Sequence, residues 1–536
     1  MRKRMCIFLV ALSASISVSM AQSNNYECDV IKLDTMAPAY RPGQVLVKFR
    51  DDSNITVNGR RQVSSARVRQ LASQLGVTDM EQLMPVGGRL PMQPSPRLVT
   101  AHGKPLPDRD LTKLYLVKFN ANQTTSVKEA AEAFSTLDEV EFAEPNYLVY
   151  AVGTPTDEPA IEESGSYTAG KKAPVTFTPT DPMYTMQWGP AAINLPAFWS
   201  TPIENVLGHR PVIAILDTGV DIDHPDLKDN IWTNEQEANG AAGADDDQNG
   251  YVDDLHGWDC VNQTGRLGDW NGHGTHCAGI AAAVAGNDMG IVGANPDALI
   301  MPVTVLQSDG IGDVGTIIRG LEYTLTHHVD VISMSIGGYG YSMAYELALG
   351  KCYHNSVIVA AAGNDGLCIY PGHSCCSKPL FPGAFTFVLG VEASNSAPGS
   401  LPSSCAKGTY PYNYNPWRAG FSNLDDDGPV YTDLAIFDEE KLYNYELLAP
   451  GVNILSTYPG GRYKSMGGTS MATPLAAGAI SRLLQAKEYS SRELLFGDLI
   501  ATSNAESKVM DIMAAYNVTD ADRHPTVTTQ TLSMVV

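Results

Sequence analysis

Positive charge is what this sequence has least of: 36 Lys and Arg stand against 59 Asp and Glu, a formal net charge of −23 over 536 residues. A surface of that sign repels phosphate backbones and anionic lipid, which disfavours nucleic acid and acidic membranes as partners. Long apolar runs are scarce too. Beyond the first residues no stretch of about 18 apolar residues occurs, so no membrane span is expected. The nine cysteines include no pair of Cys-x-x-Cys units, which argues against a cysteine-built zinc site. There is no His-Glu-x-x-His pattern, which argues against a helical zinc site. The Asp-Thr-Gly triplet at Asp217 has no second copy in an all-β setting, so a paired-aspartate site is not supported.

The N-terminus carries a signal of its own. Arg2-Lys3-Arg4 precedes an apolar segment from about Met5 to Leu12 and small residues up to Ala21, the pattern of a secretory signal peptide over residues 1–21. No cysteine follows it directly, so no lipid anchor is expected there. The expected location is secreted: extracellular, periplasmic or cell surface. Cys6 falls inside this segment, leaving Cys28, Cys260, Cys277, Cys352, Cys368, Cys375, Cys376 and Cys405. In an exported chain, the cluster Cys368, Cys375, Cys376 and Cys405 predicts disulfide stapling of a loop, with the pairing left open.

Hydrophobic periodicity divides the remainder. Residues 22–150, with a core over about 40–150, form a first unit. Residues 43–49 and 113–119 alternate like strands, 63–75 and 127–137 have helical spacing, and 140–147 reads as a closing edge strand. That order predicts a small α+β sandwich of ferredoxin-like type. Residues 151–180 hold Pro155, Pro159, Gly165, Gly170, Pro174 and Pro179 without periodicity, and read as an exposed linker open to cleavage. From 181 to 520, apolar strands at 211–216, 299–305, 329–334, 357–361 and 385–389 alternate with helical stretches at 276–285, 315–325 and 343–351. This predicts an α/β fold: a doubly wound, mainly parallel sheet covered on both faces, with active groups just beyond the carboxyl ends of its strands. A tail over 521–536 follows.

Short motifs sit at such ends. Asp217-Thr218-Gly219 follows the first of these strands directly. In Asn271-Gly272-His273-Gly274-Thr275-His276 a histidine stands between glycines at a helix start, where a second backbone and a substrate can approach closely. In Gly467-Gly468-Thr469-Ser470-Met471-Ala472-Thr473-Pro474 a serine stands at the mouth of an apolar helix, near the positive end of its dipole. Asn364 ends another strand in Ala361-Ala362-Gly363-Asn364, where its carboxamide suits an oxyanion formed at Ser470. Singly, each has a plain structural reading as a turn or cap residue. Together, in the order Asp, His, Ser and each beside a strand end or helix start, they match the subtilisin arrangement. With Ser333-Met334-Ser335-Ile336-Gly337-Gly338 and Ala449-Pro450-Gly451-Val452, these segments make residues 181–520 resemble a subtilisin-like (subtilase) serine protease catalytic domain. Residues 40–150 resemble, more weakly, the inhibitory prodomain of such proteases.

The resemblance implies roles. Ser470 is the nucleophile, His273 the general acid and base, and Asp217 the group that holds the imidazole tautomer. Asn364 and a backbone N–H near Ser470 form the oxyanion hole, and Ser335, Ile336 and Gly337 pair with extended substrate as an added strand. His276 is structural. The implied activity is that of a serine endopeptidase acting on proteins or peptides through an acyl-enzyme. It is made as a self-processed zymogen whose own prodomain inhibits it and is cut off within about 150–180. A lipase or esterase is disfavoured because Gly468 to Ala472 lacks the second glycine of G-x-S-x-G, and the glutamate and aspartate of sedolisins are absent from positions 273 and 364. The rival class is a binding module or inactive pseudoprotease, but all four catalytic positions are filled.

Two insertions depart from the family pattern. In residues 237–268, Asp245, Asp247, Asn249, the Tyr251 carbonyl and Asp253 fall at alternating ligand positions of a calcium loop, with Gly250 at the sharp turn and His256 where an EF-hand has glutamate. A structural calcium ion is the expected cofactor. Residues 366–379 and 394–420 are expected to rim the pocket formed with Pro379-Leu380-Phe381-Pro382. Asn54, Asn122, Asn262 and Asn517 head N-x-Ser/Thr triplets.

Overall fold

Tyr40–Phe49 (β1) is buried on both faces over most of its length, and that double burial organises the N-terminal part of the chain. The computed structural model describes residues 39–58, 62–100, 104–120, 126–155, 160–162, 177–366, 379–398, 415–424, 445–504, 507–520 and 522. The leader, Cys28, Asn122, the loop cysteines at 368, 375, 376 and 405, and most of the tail lie outside these residues. After β1 come helix Ala66–Gln74 (α1), strands Val77–Gln82 (β2) and Leu114–Phe119 (β3), helix Val127–Ser135 (α2) and strand Val140–Ala151 (β4). The strands order as β4-β1-β3-β2, every pair antiparallel. A capping box between Ser126 and Glu129 starts α2. Strand alternation then splits the side chains. Val45, Val47, Phe49, Tyr115 and Val117 pack with Val68 and Phe134 in a local core, while Leu46, Leu114 and Leu116 face the larger core of the following domain.

That domain contains strands Val212–Asp217 (β5) and Trp258–Asp259 (β6), helix His273–Ala282 (α3), strands Leu299–Thr304 (β7) and Ile311–Asp313 (β8), and helix Val314–Thr326 (α4). Strands Val331–Met334 (β9) and Ile336–Gly337 (β10), helix Met343–Cys352 (α5), and strands Val357–Ala361 (β11), Leu389–Ser394 (β12) and Leu447–Pro450 (β13) follow. Strands Ile454–Tyr458 (β14) and Arg462–Gly467 (β15) lead into helix Thr469–Ala486 (α6). Seven strands form a parallel sheet in the order β6-β7-β5-β9-β11-β12-β13. The chain enters at β5, builds toward β7, then crosses back to β9, so the order reverses beside β5. That reversal opens a crevice at the carboxyl ends.

Helix α6 is buried along nearly its whole length. Pro474 lies within it and has no N–H for the Ser470 carbonyl four residues earlier. The Ser335 hydroxyl, at 2.8 Å, and the Cys277 thiol, at 3.5 Å, donate to that carbonyl instead. The proline thus hands one backbone acceptor to two neighbouring elements.

The observed elements differ from the sequence reading in three places. The strand expected at 385–389 begins at Leu389, because Phe385, Phe387 and Val388 fill the core from a turn. β2 was not expected: in Val-Thr-Asp-Met-Glu-Gln only Met80 is buried, too little apolar alternation to read. β4 runs on to Ala151 and is no edge, because β8 pairs with it on the side away from β1, and β10 pairs with its last residues on the other side, past the end of β1.

Charged contacts join the two units. Arg319 of α4 makes a two-pronged pair with Glu81 at 2.6 Å, and Glu322 accepts from the Val86 and Gly87 N–H groups at 2.7 and 2.9 Å. Glu144 of β4 accepts from the Ser342 hydroxyl and from Met343 N and Ala344 N at 3.0 and 3.1 Å, satisfying free amides at the start of α5. Burial pushes the Glu144 carboxyl up to about 7 against those bonds. Its contribution to holding the units together is full below the ordinary carboxyl range near 4.5 and is lost as pH rises through about 7. Thermal melts of the full chain between roughly pH 5 and 8 should show this loss, and Glu144→Gln should flatten it. Glu144→Ala, which leaves two helix-start amides unpaired, should cost about 1–3 kcal/mol.

Candidate active site

Asp217 is the last residue of β5, and its carboxylate Oδ1 accepts from Thr218 N at 2.7 Å. The same oxygen lies 2.7 Å from His273 Nδ1. His273 opens α3, whose N-cap Gly272 has φ 98° and no side chain to cap with. Asp269 does the capping: it accepts from Gly272 N, Thr275 N and the Thr275 hydroxyl at 2.9, 2.9 and 2.7 Å. A Cβ on Gly274 would run into the Gly219 carbonyl, so these two glycines let the histidine turn settle against the aspartate strand. Imidazole and carboxylate are 2% and 1% exposed. Burial opposes the imidazolium, but the adjacent Asp217 charge outweighs it and holds the His273 pKa well above the ordinary value. Nε2 of His273 is buried without a hydrogen-bond partner among the described residues.

Ser470 lies in the first turn of α6. Its N–H and the Asn364 Nδ2 each stand 3.1 Å from one acceptor, the carbonyl oxygen of Val152. The Ser470 hydroxyl also donates toward that oxygen and lies 3.0 Å from the Ser335 carbonyl. Asn364 cannot flip freely, because its Oδ1 accepts from Thr469 N at 2.9 Å and from the Thr469 hydroxyl at 3.1 Å. Gly153 follows directly, and a Cβ built on it would lie 2.9 Å from His273 Nε2 and 3.3 Å from Ser470 Cβ. The peptide bond between Val152 and Gly153 therefore sits among Ser470, His273 and Asn364.

The strand that brings it there is β4. On one side Gly312 and Ile311 of β8 pair with Val149 and Tyr150, and on the other Gly337 and Ile336 of β10 pair with Tyr150 and Ala151. Val152 N donates to the Ser335 carbonyl at 3.1 Å. Past Gly153, Thr154 and Pro155 pair with Gly467 and Met466 of β15. Ser335, Ile336 and Gly337 are thus one wall of a groove whose second wall, β8, was not singled out from sequence. Also missed were Val152, Gly153, Thr469 and Asp269. His276 donates to the Lys464 carbonyl at 2.8 Å, and burial pushes its pKa down to about 3, so it stays neutral. Cys277 is buried, free and 3.9 Å from His273 Nδ1, and burial raises its pKa.

In the acidic insertion, carboxylate oxygens of Asp245 and Asp247 converge with one of Glu237 within 4.8 Å. Glu237 was not expected from the loop spacing. The Asp253 carboxylate instead accepts from Gly243 N at 2.8 and 2.9 Å, and Asn249 Oδ1 accepts from Tyr251 N at 2.7 Å. A set of hard oxygen donors fits calcium.

The Asn364–Thr469 contact gives a test of positioning. With Asn364 in the oxyanion role expected from the sequence, Asn364→Leu should lower kcat by about 10²–10³. Thr469→Val, which keeps the shape but removes the hydroxyl, should lower kcat by roughly tenfold with KM unchanged. A rise in KM with kcat unchanged would mean that Thr469 only supports substrate binding.

Residues 208–522 match the Subtilase family. Over 309 residues, 57% of this chain and 85% of the relative, the sequence is 32% identical to thermitase of Thermoactinomyces vulgaris. It is 32% identical to an intracellular serine protease of Paenibacillus polymyxa over 315 residues, 58% of this chain and 77% of the relative. With subtilisin E of Bacillus subtilis it shares 30% identity over 381 residues, 69% of this chain and 80% of the relative. The chain belongs to the Subtilase family and is a subtilisin-like serine endopeptidase.

Proposed function

We propose that this chain is a secreted zymogen that uses Asp217, His273, Ser470 and Asn364 to cut its own Val152–Gly153 bond, and afterwards cuts proteins or peptides that enter the same groove. One observation carries the reading: the Val152 carbonyl oxygen is 3.1 Å from both Ser470 N and Asn364 Nδ2. Those are the donors an oxyanion needs. On this reading residues 22–152 are the inhibitory prodomain, held as an added strand between β8 and β10. Secretion rests on the leader at residues 1–21, and among the described residues no helix is long and apolar enough to cross a membrane.

The steps follow from the geometry. Rotation of the Ser470 side chain turns its hydroxyl to His273 Nε2, which takes the proton as Oγ attacks the Val152 carbonyl carbon. Charge gathers on the carbonyl oxygen, where Ser470 N and Asn364 Nδ2 meet it. Asp217, fixed on Nδ1, stabilises the imidazolium. The tetrahedral carbon then expels the Gly153 nitrogen, which receives the proton from Nε2, leaving Val152 esterified to Ser470. Water, deprotonated by the same imidazole, hydrolyses the ester and regenerates the hydroxyl. Glu237, Asp245 and Asp247 would hold a calcium ion, whose charge would cross-link the insertion preceding α3.

Intact mass and N-terminal sequencing test the processing step. Active protein should begin at Gly153, and Ser470→Ala should keep residues 152 and 153 joined. Gly153→Val, which puts a side chain against His273 Nε2, should slow the cut by about 10² or more. A first cut placed at another bond would overturn the assignment. Calcium should raise the melting temperature of the Ser470→Ala chain, and Glu237→Gln with Asp245→Asn should remove that gain.

A further inference from the structure

At the amino end of the parallel sheet, away from the catalytic residues, two histidines and an aspartate meet. His209 Nε2 lies 3.1 Å from His328 Nε2 and 3.1 Å from Asp330 Oδ2, and His328 Nε2 lies 3.3 Å from Asp330 Oδ1. We propose that His209, His328 and Asp330 form a binding site for a zinc-type divalent cation.

The tautomer argument is the strongest. His209 Nδ1 stands 3.0 Å from the Leu207 carbonyl, which can only accept, so Nδ1 carries the proton. In the neutral ring Nε2 is then a bare lone pair, and it points at a carboxylate and at a second imidazole nitrogen. A bare nitrogen, a second imidazole nitrogen and a carboxylate this close need either a proton on His328 Nε2 or a cation between them, and a cation serves all three at once. An N–H anchored on a backbone carbonyl is also how metal-ligating histidines are oriented. The spacing agrees: ligands about 2.0–2.1 Å from a tetrahedral zinc stand about 3.3 Å apart.

The site is built rather than incidental. Asp330 is 7% exposed, and its Oδ2 also accepts from Val212 N at 2.8 Å, so the carboxylate is fixed at the start of β5 and β9. His209 and His328 are 38% and 69% exposed, which leaves the fourth position open to water. Two imidazoles and one carboxylate suit zinc and related transition metals rather than calcium. The ion would join chain segments 119 residues apart and add stability in proportion to its binding.

The test is zinc chloride titration of the full-length, metal-stripped Ser470→Ala chain, with calcium saturating to fill the acidic insertion. One equivalent should bind and raise the melting temperature. His328→Ala, at an exposed position, should weaken that binding roughly tenfold or more, while His273→Ala and Cys277→Ala leave it intact. Cobalt(II) in place of zinc should give the strong visible absorption of a four-coordinate site in the parent and not in His328→Ala. If zinc does not bind, or binds His328→Ala and His209→Ala as it binds the parent, a proton alone bridges these groups and the site is refuted. Because the readout is binding by a Ser470→Ala chain, either result leaves the proteolytic reading untouched.

Discussion

The backbone pairing of residues 148–152 between two short strands is the constraint on which the rest depends. A strand held on both edges has no freedom to slide without breaking a ladder on each side. The register that pairs Ile336 with Ala151 and Gly312 with Val149 fixes the position of the next carbonyl, that of Val152. Ser470 N and Asn364 Nδ2 wait at that position. Recognition through main-chain hydrogen bonds ignores side-chain identity, so the walls that hold this segment can hold any extended chain whose side chains fit. Selectivity is left to the few places where space is short, and Gly153 beside His273 is one of them.

The groups proposed to carry the chemistry are rigid because each is held by a partner outside the proposed reaction. Asp269 ties down the helix start that carries His273, Thr469 orients the Asn364 amide, and Gly219 and Gly274 allow the strand and helix to touch. Pro474 has a comparable effect by subtraction. By withholding an N–H from the Ser470 carbonyl it recruits Ser335 and Cys277, and Ser335 also presents the carbonyl that binds Val152 N. Ser470 and the strand wall beside Val152 are thereby linked through one residue. Preorganisation of this kind is what lets dipoles stabilise developing charge without reorganising during reaction.

Much of this was legible in the sequence, for a physical reason. Asp217, His273, Asn364 and Ser470 each need small neighbours for close approach, and glycines in fixed contexts leave a readable trace. The parallel sheet was legible because strands buried on both faces are continuously apolar. What escaped depends on distant pairing. Val152-Gly153 looks like the start of a linker, and only the register of β4 against β8 and β10 singles it out. Glu237 reaches the acidic insertion from outside the alternating pattern, and His209 and His328 share no motif. Val77–Gln82 has one buried side chain, so its strand exists because β3 offers an edge, not because its own residues ask for one.

Cutting the Val152–Gly153 bond, on the proposed reading, does not by itself free the groove. The cut detaches Thr154, Pro155, Ile161 and Glu162, which pair with β15, yet every contact on the other side survives it. Residues 148–152 keep both ladders, Leu46, Leu114 and Leu116 stay packed on the larger core, and the Arg319–Glu81 and Glu144 contacts stay closed. The new carboxylate of Val152 lies against the donors that served the oxyanion, a favourable place for negative charge. On that reading the cleaved segment is a bound product whose departure, not whose formation, limits activity. Release requires opening an interface that is apolar at its centre and ionic at its margin, and buried Glu144 makes that interface weaken as pH rises through neutrality.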